Sequence, residues 1–251
     1  MIDLQVRDLA MSFGGNQVLS KVTFTVDSPQ ICGLIGPNGA GKSTLVNVLT
    51  GTYAPTGGAV LLTGERIDGL PPYAVVRRGL GRTFQVSRAF RRMTVLENLL
   101  VPGYAGRRES RRAVARRAAE AMELLSIGHL AQEPARALSG GQLKLLELAR
   151  LLMLAPAILL LDEPFAGVHP RLREHISEFI RTLRADGRAV VIIEHDMETI
   201  FALSDRLLVL ATGRLIADGP PAAVRVDPMV IEAYLGDDDA GDEVRGGEDH
   251  A

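Results

Sequence analysis

The stretch that decides the fold is Gly36-Pro-Asn-Gly-Ala-Gly-Lys-Ser-Thr44, which follows a short apolar segment at 30–35 and precedes a segment of helical character at 43–49. It satisfies the P-loop pattern G-x-x-x-x-G-K-[ST] in the strand-loop-helix context that this pattern requires. Backbone N–H groups bared by Gly39 and Gly41, together with the helix dipole, are suited to hold phosphates. The stretch therefore predicts a P-loop nucleotide-binding core of the α/β class.

The loop also predicts separate roles for its side chains. Lys42 is expected to reach the β- and γ-phosphates, and the Ser43 hydroxyl is expected to bind Mg²⁺. The motif thus predicts a nucleoside triphosphate bound together with magnesium. The candidate nucleotide contacts in this loop are Gly36, Pro37, Asn38, Gly39, Ala40, Gly41, Lys42, Ser43 and Thr44.

A second segment supplies the carboxylates that such a site needs. Ile158-Leu-Leu-Leu-Asp162-Glu163 has the pattern of an apolar strand that ends in two acidic residues. Asp162 is expected to orient the Mg²⁺ beside the phosphate loop, and Glu163, one residue further into the site, to polarise the attacking water. Such a pair is weak evidence alone, but it becomes strong evidence together with the P-loop.

A second glycine-exposed helix N-terminus occurs at Leu138-Ser-Gly-Gly-Gln142, and it too is suited to an anion. One nucleotide should not need two phosphate cradles. Either the chain binds two nucleotides, or this helix end completes a site on another copy.

Hydrophobic patterning predicts two kinds of strand. The alternating segments at 4–6 and 22–26 indicate antiparallel strands, with a turn at 13–16. The apolar runs at 157–161 and 188–193 lack polar alternation, which is typical of central parallel strands covered on both faces. The chain is therefore predicted to be α/β with a β-rich opening.

The part of the chain between these strands has a different composition. Residues 107–126 combine Arg, Ala and Glu with Leu at helical spacing, which favours an amphipathic helix in a helical insert. Thr94-Val-Leu-Glu97 and the segment at 139–142 are capping boxes that open further helices. Beyond Gly236 the acidic tail has too little apolar matter to fold, so it is predicted to be disordered. The predicted division is one domain over 1–236, with core segments 1–85 and 155–236, a helical insert at about 86–154, and a tail at 237–251.

Composition bounds location and redox chemistry. The 251 residues are 47% hydrophobic with a formal net charge of −2. No stretch of about twenty residues is free of charge, so no membrane span is predicted, and the N-terminus lacks a signal core, which predicts a cytoplasmic chain. A single cysteine, Cys32, excludes an internal disulfide and a cysteine metal cluster, and its apolar surroundings predict a buried, inert thiol.

The motifs occur in a fixed order along the chain. The order is the phosphate loop at 36–44, Gln85 after Arg-Thr-Phe, Leu-Ser-Gly-Gly-Gln from 138, Asp162-Glu163, and His195 in Ile-Glu-His-Asp. Over roughly residues 3–235 the chain resembles the nucleotide-binding domains of ABC ATPases. The resemblance implies a RecA-like P-loop core, an N-terminal antiparallel β subdomain and an inserted helical subdomain that carries the signature motif, with ATP and Mg²⁺ as cofactors.

The resemblance also implies roles for single residues. Gln85 would sense Mg²⁺ and the attacking water, His195 would contact the γ-phosphate, and Phe13 would stack on adenine. Ser139 and Gly141 would reach the ATP that the opposite subunit holds. The nucleotide contacts implied in the signature motif are Ser139, Gly140, Gly141 and Gln142. The catalytic candidates are Lys42, Gln85, Glu163 and His195, and the metal candidates are Ser43, Gln85 and Asp162.

Three segments, at 81–85, 90–98 and 230–236, look most like the ATPase of branched-chain amino acid importers. Urea and other amide importers share these segments, and the ATPase that extracts lipopolysaccharide shares them more distantly. The sequence departs from most of the family at His169, which stands where an Asp is usual in the loop that crosses between subunits. His169 could titrate near neutral pH, but we favour a surface histidine with no role.

The implied partners are two transmembrane permease subunits, a second ABC ATPase that is either identical or related, and a periplasmic or extracellular substrate-binding protein. The segment at 85–100 would form the groove where a permease helix docks, with Phe90 and Met93 as apolar contacts. The chain would therefore lie peripherally on the cytoplasmic face of the cell membrane.

Two other classes compete with this interpretation. A soluble ABC ATPase of DNA repair, translation or iron–sulfur assembly would use the arginines between 77 and 117 as a nucleic-acid patch. The chain has only one ATPase unit, no long coiled-coil insert and no aromatics among those arginines, so we expect no nucleic acid and favour a solvated helical face at 107–117. A small P-loop kinase or GTPase would leave the segment at 139–142 unexplained.

Overall fold

The computed structural model describes residues 3–83, 89–106 and 109–242, which form two β-sheets and a set of helices. The strands are β1 Asp3–Phe13, β2 Asn16–Asp27, β3 Gln30–Ile35, β4 Gly57–Leu62, β5 Glu65–Arg66, β6 Leu80–Arg82, β7 Ile158–Asp162, β8 Ala189–Ile193, β9 Arg206–Ala211 and β10 Arg214–Gly219. The helices are α1 Lys42–Leu49, α2 Pro72–Arg77, α3 Val95–Gly106, α4 Arg111–Leu124, α5 Gly140–Leu152, α6 Pro170–Ala185, α7 Met197–Leu203, α8 Pro221–Val224 and α9 Pro228–Asp242. Among these described residues, no helix has both the length and the apolar character needed to cross a bilayer.

The larger sheet has the strand order β10-β9-β3-β8-β7-β6 and carries the candidate site. Strands β6 to β9 and β3 run parallel, and only β10 is antiparallel to its neighbour. The carboxyl ends of parallel strands meet at one edge of a sheet, where α/β proteins bind their ligands. The phosphate loop after β3 and the carboxylates that end β7 therefore lie at the same edge.

The core has two layers, one on each face of this sheet. Along β7, Leu159 and Leu161 pack with the helical insert and α6, whereas Ile158 and Leu160 pack toward the N-terminal sheet. Successive side chains of a strand point to opposite faces, and positions 158–161 are all apolar because both faces are covered. The unbroken apolar runs of the sequence thus correctly predicted central parallel strands.

The smaller sheet is antiparallel, with the order β2-β1-β4-β5. The predicted turn at its tip is present: Phe13 pairs with Asn16, and Gly14 and Gly15 both have positive φ, 53° and 89°. A two-residue hairpin turn with positive φ at both positions matches the twist of its strands. The sequence predicted β1 and β2, but it did not predict β4 and β5.

The helical insert lies between β6 and β7 in the chain. The Thr94 N–H donates to Glu97 Oε2 (2.8 Å) and the Glu97 N–H donates to Thr94 Oγ1 (3.1 Å), so the first predicted capping box is formed. Within α4, Val114, Ala118 and Ala121 are buried at helical spacing, whereas Arg116 is exposed and Arg117 is partly buried. The amphipathic helix predicted at 107–126 is therefore confirmed over Arg111–Leu124.

The C-terminal region corrects the predicted tail. Two helices follow β10, and the second, α9, continues to Asp242, so 237–242 are helical where the sequence predicted disorder. Val230 is buried at the start of α9, and extending a formed helix adds one hydrogen bond for each residue fixed. Residues 243–251 lie outside the described residues.

Candidate functional site

The phosphate loop adopts a conformation that only glycine permits at key positions. Gly36 has φ +151°, and a Cβ there would lie 1.9 Å from the main-chain oxygen of Leu210 in β9. Gly39 has φ +74°, in the left-handed region that L side chains rarely adopt. The Gly213 N–H donates to the oxygen of Ala40 (3.0 Å), which fastens the loop to the turn between β9 and β10. The loop is therefore built into the edge of the large sheet.

Lys42 and Ser43 begin the helix that follows this loop. The Lys42 Nζ donates to the main-chain oxygens of Gly36 and Pro37, the second at 2.8 Å, so the ammonium group is held against the loop. The Ser43 side chain is exposed in the first turn of α1. A fixed cation and exposed backbone N–H groups at a helix N-terminus form a site that can bind phosphates.

Asp162 ends β7 and is held at two points. Its main-chain N–H donates to Thr83 Oγ1 (3.0 Å), and its Oδ2 accepts from Arg82 Nη2 (2.7 Å). Arg82 Nη1 also donates to Asn47 Oδ1 in α1 (2.6 Å). From the sequence, Arg82 was named only as part of the segment at 81–85 and of the arginines between 77 and 117, and Asn47 was given no role.

Glu163 has an unusual backbone and faces His195. Its φ is +47°, which is uncommon for a residue other than glycine. Its N–H donates to the Ile193 oxygen (2.9 Å) and its main-chain oxygen accepts from Lys144 Nζ of α5 (2.9 Å). Glu163 Oε1 then lies 3.9 Å from His195 Nδ1. Backbone strain of this kind clusters at functional sites, and two predicted catalytic residues are brought together here.

Glu194 is a buried carboxyl that the sequence analysis missed. Only 2% of the residue is exposed, and its oxygens accept from the N–H groups of Phe165 (2.8 Å) and His195 (3.2 Å). Burial raises the pKa of the Glu194 carboxyl, while these two N–H donors oppose the shift. Glu194 thereby ties the loop after Glu163 to His195. Its position just after a buried strand was the available signal.

The donor set fits magnesium bound together with a nucleotide. Mg²⁺ prefers oxygen ligands and usually uses one or two carboxylates plus substrate phosphates, and Asp162 and Ser43 supply a carboxylate and a hydroxyl. Within the described ranges, no group of three or more His, Cys, Asp or Glu side chains could hold a metal by itself. The residues therefore suit a Mg²⁺ ion whose remaining ligands come from the phosphates of the nucleotide.

The signature segment forms the exposed N-terminus of α5. Ser139 is the N-cap, its Oγ accepts from the Gln142 N–H (3.3 Å), and Gln142 Oε1 accepts from the Ser139 N–H (2.9 Å). Ser139 and Gly140 are exposed, whereas a Cβ on Gly141 would lie 2.6 Å from Leu172 of α6. The second capping box is confirmed, and its open side faces away from the packed helices.

Four further predicted residues have different outcomes. Phe13 is 43% exposed, and its ring meets Tyr53 in an edge-to-face arrangement with centroids 5.3 Å apart. His169 caps α6 by accepting the Arg171 N–H at Nδ1 (3.3 Å), so it has a structural contact that the sequence did not predict. Gln85 lies outside the described residues. Cys32 is buried as predicted, and burial raises the pKa of its thiol to about 12.

Comparison with known proteins identifies the family. Residues 19–166 match the family model of ABC transporters, and residues 214–240 match that of branched-chain amino acid ATP-binding cassette transporters. A crystal structure of the ADP conformation of MJ1267, an ATP-binding cassette of an ABC transporter, superposes with a TM-score of 0.84 at 35% identity, covering 94% of this chain and 99% of that one.

Curated relatives agree with these matches. The high-affinity branched-chain amino acid transport ATP-binding proteins BraF of Pseudomonas aeruginosa and LivG of Escherichia coli are each 41% identical, covering 93% of this chain and 98% of their own. The lipopolysaccharide export system ATP-binding protein LptB of Escherichia coli is 37% identical over 95% of this chain and 99% of its own. The chain therefore belongs to the ABC transporter family, as one of its ATP-binding, ATP-hydrolysing subunits.

Proposed function

We propose that this ATPase powers the import of branched-chain amino acids from the cytoplasmic face of the cell membrane. Two findings support this substrate class over urea, other amides or lipopolysaccharide. The C-terminal segment matches a model specific to branched-chain amino acid transporters, and the relatives named for that transport are 41% identical, against 37% for the lipopolysaccharide exporter.

The reaction is in-line attack of water on the γ-phosphate, which needs placement and charge neutralisation more than covalent chemistry. Lys42 and the N-terminus of α1 bind the phosphates. Glu163 orients the water and accepts its proton, and His195 contacts the γ-phosphate from the same side. Mg²⁺, when bound by Ser43, Asp162 and Gln85, supplies positive charge to the phosphate oxygens.

The active unit is a dimer in which each nucleotide touches two chains. The helix end at Ser139 is exposed and suited to an anion, yet residues 139–142 include neither a lysine nor a carboxylate for the chemistry. The signature residues of one chain therefore complete the phosphate-loop site of its partner. Binding of ATP joins the two chains, and hydrolysis releases them.

The partners outside the dimer are two permease subunits and a substrate-binding protein. Phe90 and Met93 expose 44% and 38% of their surface beside the predicted permease groove. Apolar side chains exposed together on an otherwise polar surface mark interaction sites. The arginines of α4 serve the fold or solvent instead, since Arg117 pairs with Glu109 and Arg116 pairs with Glu120.

One observation carries the ATPase assignment: Glu163 and His195 approach within 3.9 Å at the sheet edge from which the phosphate loop also starts. The test is to reconstitute the chain with its permeases in liposomes and add binding protein loaded with leucine, valine or urea. We expect leucine and valine to stimulate ATP hydrolysis and to be taken up, with a Glu163→Gln complex as the inactive control. Stimulation by urea alone would favour the amide importers, and no stimulation by either leucine or valine would contradict the proposed substrate class.

A further inference from the structure

Arg82 is a buried cation beside the predicted metal carboxylate. Only 13% of its side chain is exposed, and 14% of the Asp162 side chain. Its two terminal nitrogens contact different elements, Nη1 the Asn47 amide oxygen in α1 and Nη2 the Asp162 carboxylate in β7. A planar guanidinium with a fixed fork of donors is the side chain best suited to bridge two acceptors in this way.

Consecutive residues at the end of β6 hold Asp162 from two directions. Thr83 accepts the Asp162 main-chain N–H through Oγ1 (3.0 Å), and Arg82 binds the Oδ2 of its carboxylate (2.7 Å). Thr83 is itself fixed, because its N–H donates to the Leu160 oxygen (3.0 Å) and only 3% of the residue is exposed. The main chain and the carboxylate of Asp162 are therefore both constrained before any metal binds.

Asn47 connects this arrangement to the phosphate loop. It lies in α1, the helix whose N-terminus forms the end of the loop, and its side chain accepts from Arg82 (2.6 Å). The position of Arg82 thus depends on the same helix that carries Lys42 and Ser43. The guanidinium links the element that binds phosphates to the strand that presents the metal carboxylate.

We propose that Arg82 is a positioning residue for magnesium: through Oδ2 it holds the Asp162 carboxylate in the orientation that would bind the metal, and through Asn47 it keeps that carboxylate in register with the phosphate-loop helix. Arg82 acts through Asp162 and touches neither nucleotide nor metal. This inference rests on the proposed function, since it assigns Asp162 to Mg²⁺.

Two effects of removing Arg82 have opposite signs. Loss of a positive charge beside Asp162 would by itself strengthen the attraction for Mg²⁺. Loss of orientation would weaken it, and removal of groups that orient metal ligands typically costs about 10- to 100-fold in metal affinity. The proposal requires the second effect to be larger, so the direction of the change is a test.

The experiment titrates free Mg²⁺ into the full chain bound to a fluorescent trinitrophenyl-ATP and records the concentration at half-maximal signal. A Glu163→Gln background prevents hydrolysis. We expect Arg82→Met to raise this concentration about 10- to 100-fold, while nucleotide affinity in EDTA stays unchanged. Arg82→Lys, which keeps the charge but not the fork, and Asn47→Ala, which removes the second anchor, should shift it in the same direction by less.

Arg78→Met is the matched control, because Arg78 pairs with the exposed Glu65 and touches neither Asp162 nor Asn47 in the contacts described above. An unchanged or lower half-maximal Mg²⁺ concentration in Arg82→Met would overturn the proposal. Should that variant fail to fold, the same outcome in Arg82→Lys and Asn47→Ala would overturn it. If Asp162→Asn also left the Mg²⁺ titration unchanged, the metal assignment of the proposed function would fail as well.

Discussion

The N-termini of α1 and α5 are both suited to phosphate, but they are constructed differently. The α1 end has a left-handed glycine, Gly41, as N-cap and no side-chain cap, whereas at α5 Ser139 forms a complete capping box within its own helix. The α1 end lies at the sheet edge that also carries Asp162 and Glu163, the proposed metal carboxylate and general base. The α5 end is exposed at Ser139 and Gly140, and residues 139–142 include no carboxylate. The difference supports the proposal that the chain contains one reaction centre and contributes a helix end to another.

The largest effect should come from the general base at the α1 end. We expect Glu163→Gln to bind ATP with wild-type affinity but to lower turnover by roughly 10²- to 10⁴-fold, as is typical for loss of a general base. Phosphate release measured alongside nucleotide affinity checks this prediction. Turnover equal to that of the wild type would remove Glu163 from the mechanism.

At the α5 end the effect should be smaller and should act across the dimer. Ser139→Ala is expected to lower turnover by roughly 10- to 100-fold, the equivalent of one hydrogen bond to a charged group. Mixing it with Glu163→Gln should restore activity, because a mixed dimer contains one intact site, built from the Glu163 of one chain and the Ser139 of the other. Activity of the mixture no higher than that of the separate variants would argue for a site within one chain.

Glu194 joins the loop after Glu163 to His195, and its raised pKa predicts that the stability of the folded chain depends on pH. Its folded pKa is raised above the ordinary value of 4.5, so the folded state binds this proton more tightly than the unfolded state does. Its contribution to stability is therefore present below pH 4.5 and is lost as pH rises through the folded pKa. We expect the melting temperature of Glu194→Gln to gain on that of the wild type as pH rises above 4.5. A constant difference across that range would contradict the raised pKa.

The smallest effect is expected from Thr94, which caps α3 and takes no part in the proposed reaction. Thr94→Ala removes a capping box of the same kind as that of Ser139, so it should cost about 1 kcal/mol of unfolding free energy and leave ATP turnover of the isolated chain unchanged. Denaturant unfolding and phosphate release test the two parts. A loss of turnover as large as that of Ser139→Ala would show that losing a helix cap is enough to lower turnover, and the Ser139 result would then not support a nucleotide contact.

Local signals predicted much of this molecule. The phosphate loop, both capping boxes and the central strands depend on residues a few positions apart, and the structure has all of them. Contacts between distant segments were not predictable: Arg82 meets Asp162 across 80 positions and Asn47 across 35. The same limit explains the unpredicted β4 and β5, whose pattern is short and partly exposed.

The roles of the site residues follow from chain order and family resemblance more than from pattern alone. Without the signature segment at 139–142, the sequence could not have distinguished a nucleotide site formed by two chains from one formed within a single chain. The extension of α9 to Asp242 was missed for a different reason, because composition indicates what can pack but not how far a formed helix continues.

The central claim is that ATP is bound between two chains, and its most direct test is the mass of the trapped particle. Glu163→Gln mixed with Mg-ATP and measured by light scattering during gel filtration should give a particle of twice the 27.0 kDa chain mass, returning to the single-chain mass when nucleotide is removed. A particle that keeps the mass of one chain at saturating ATP, with wild-type turnover per chain independent of protein concentration, would contradict the account.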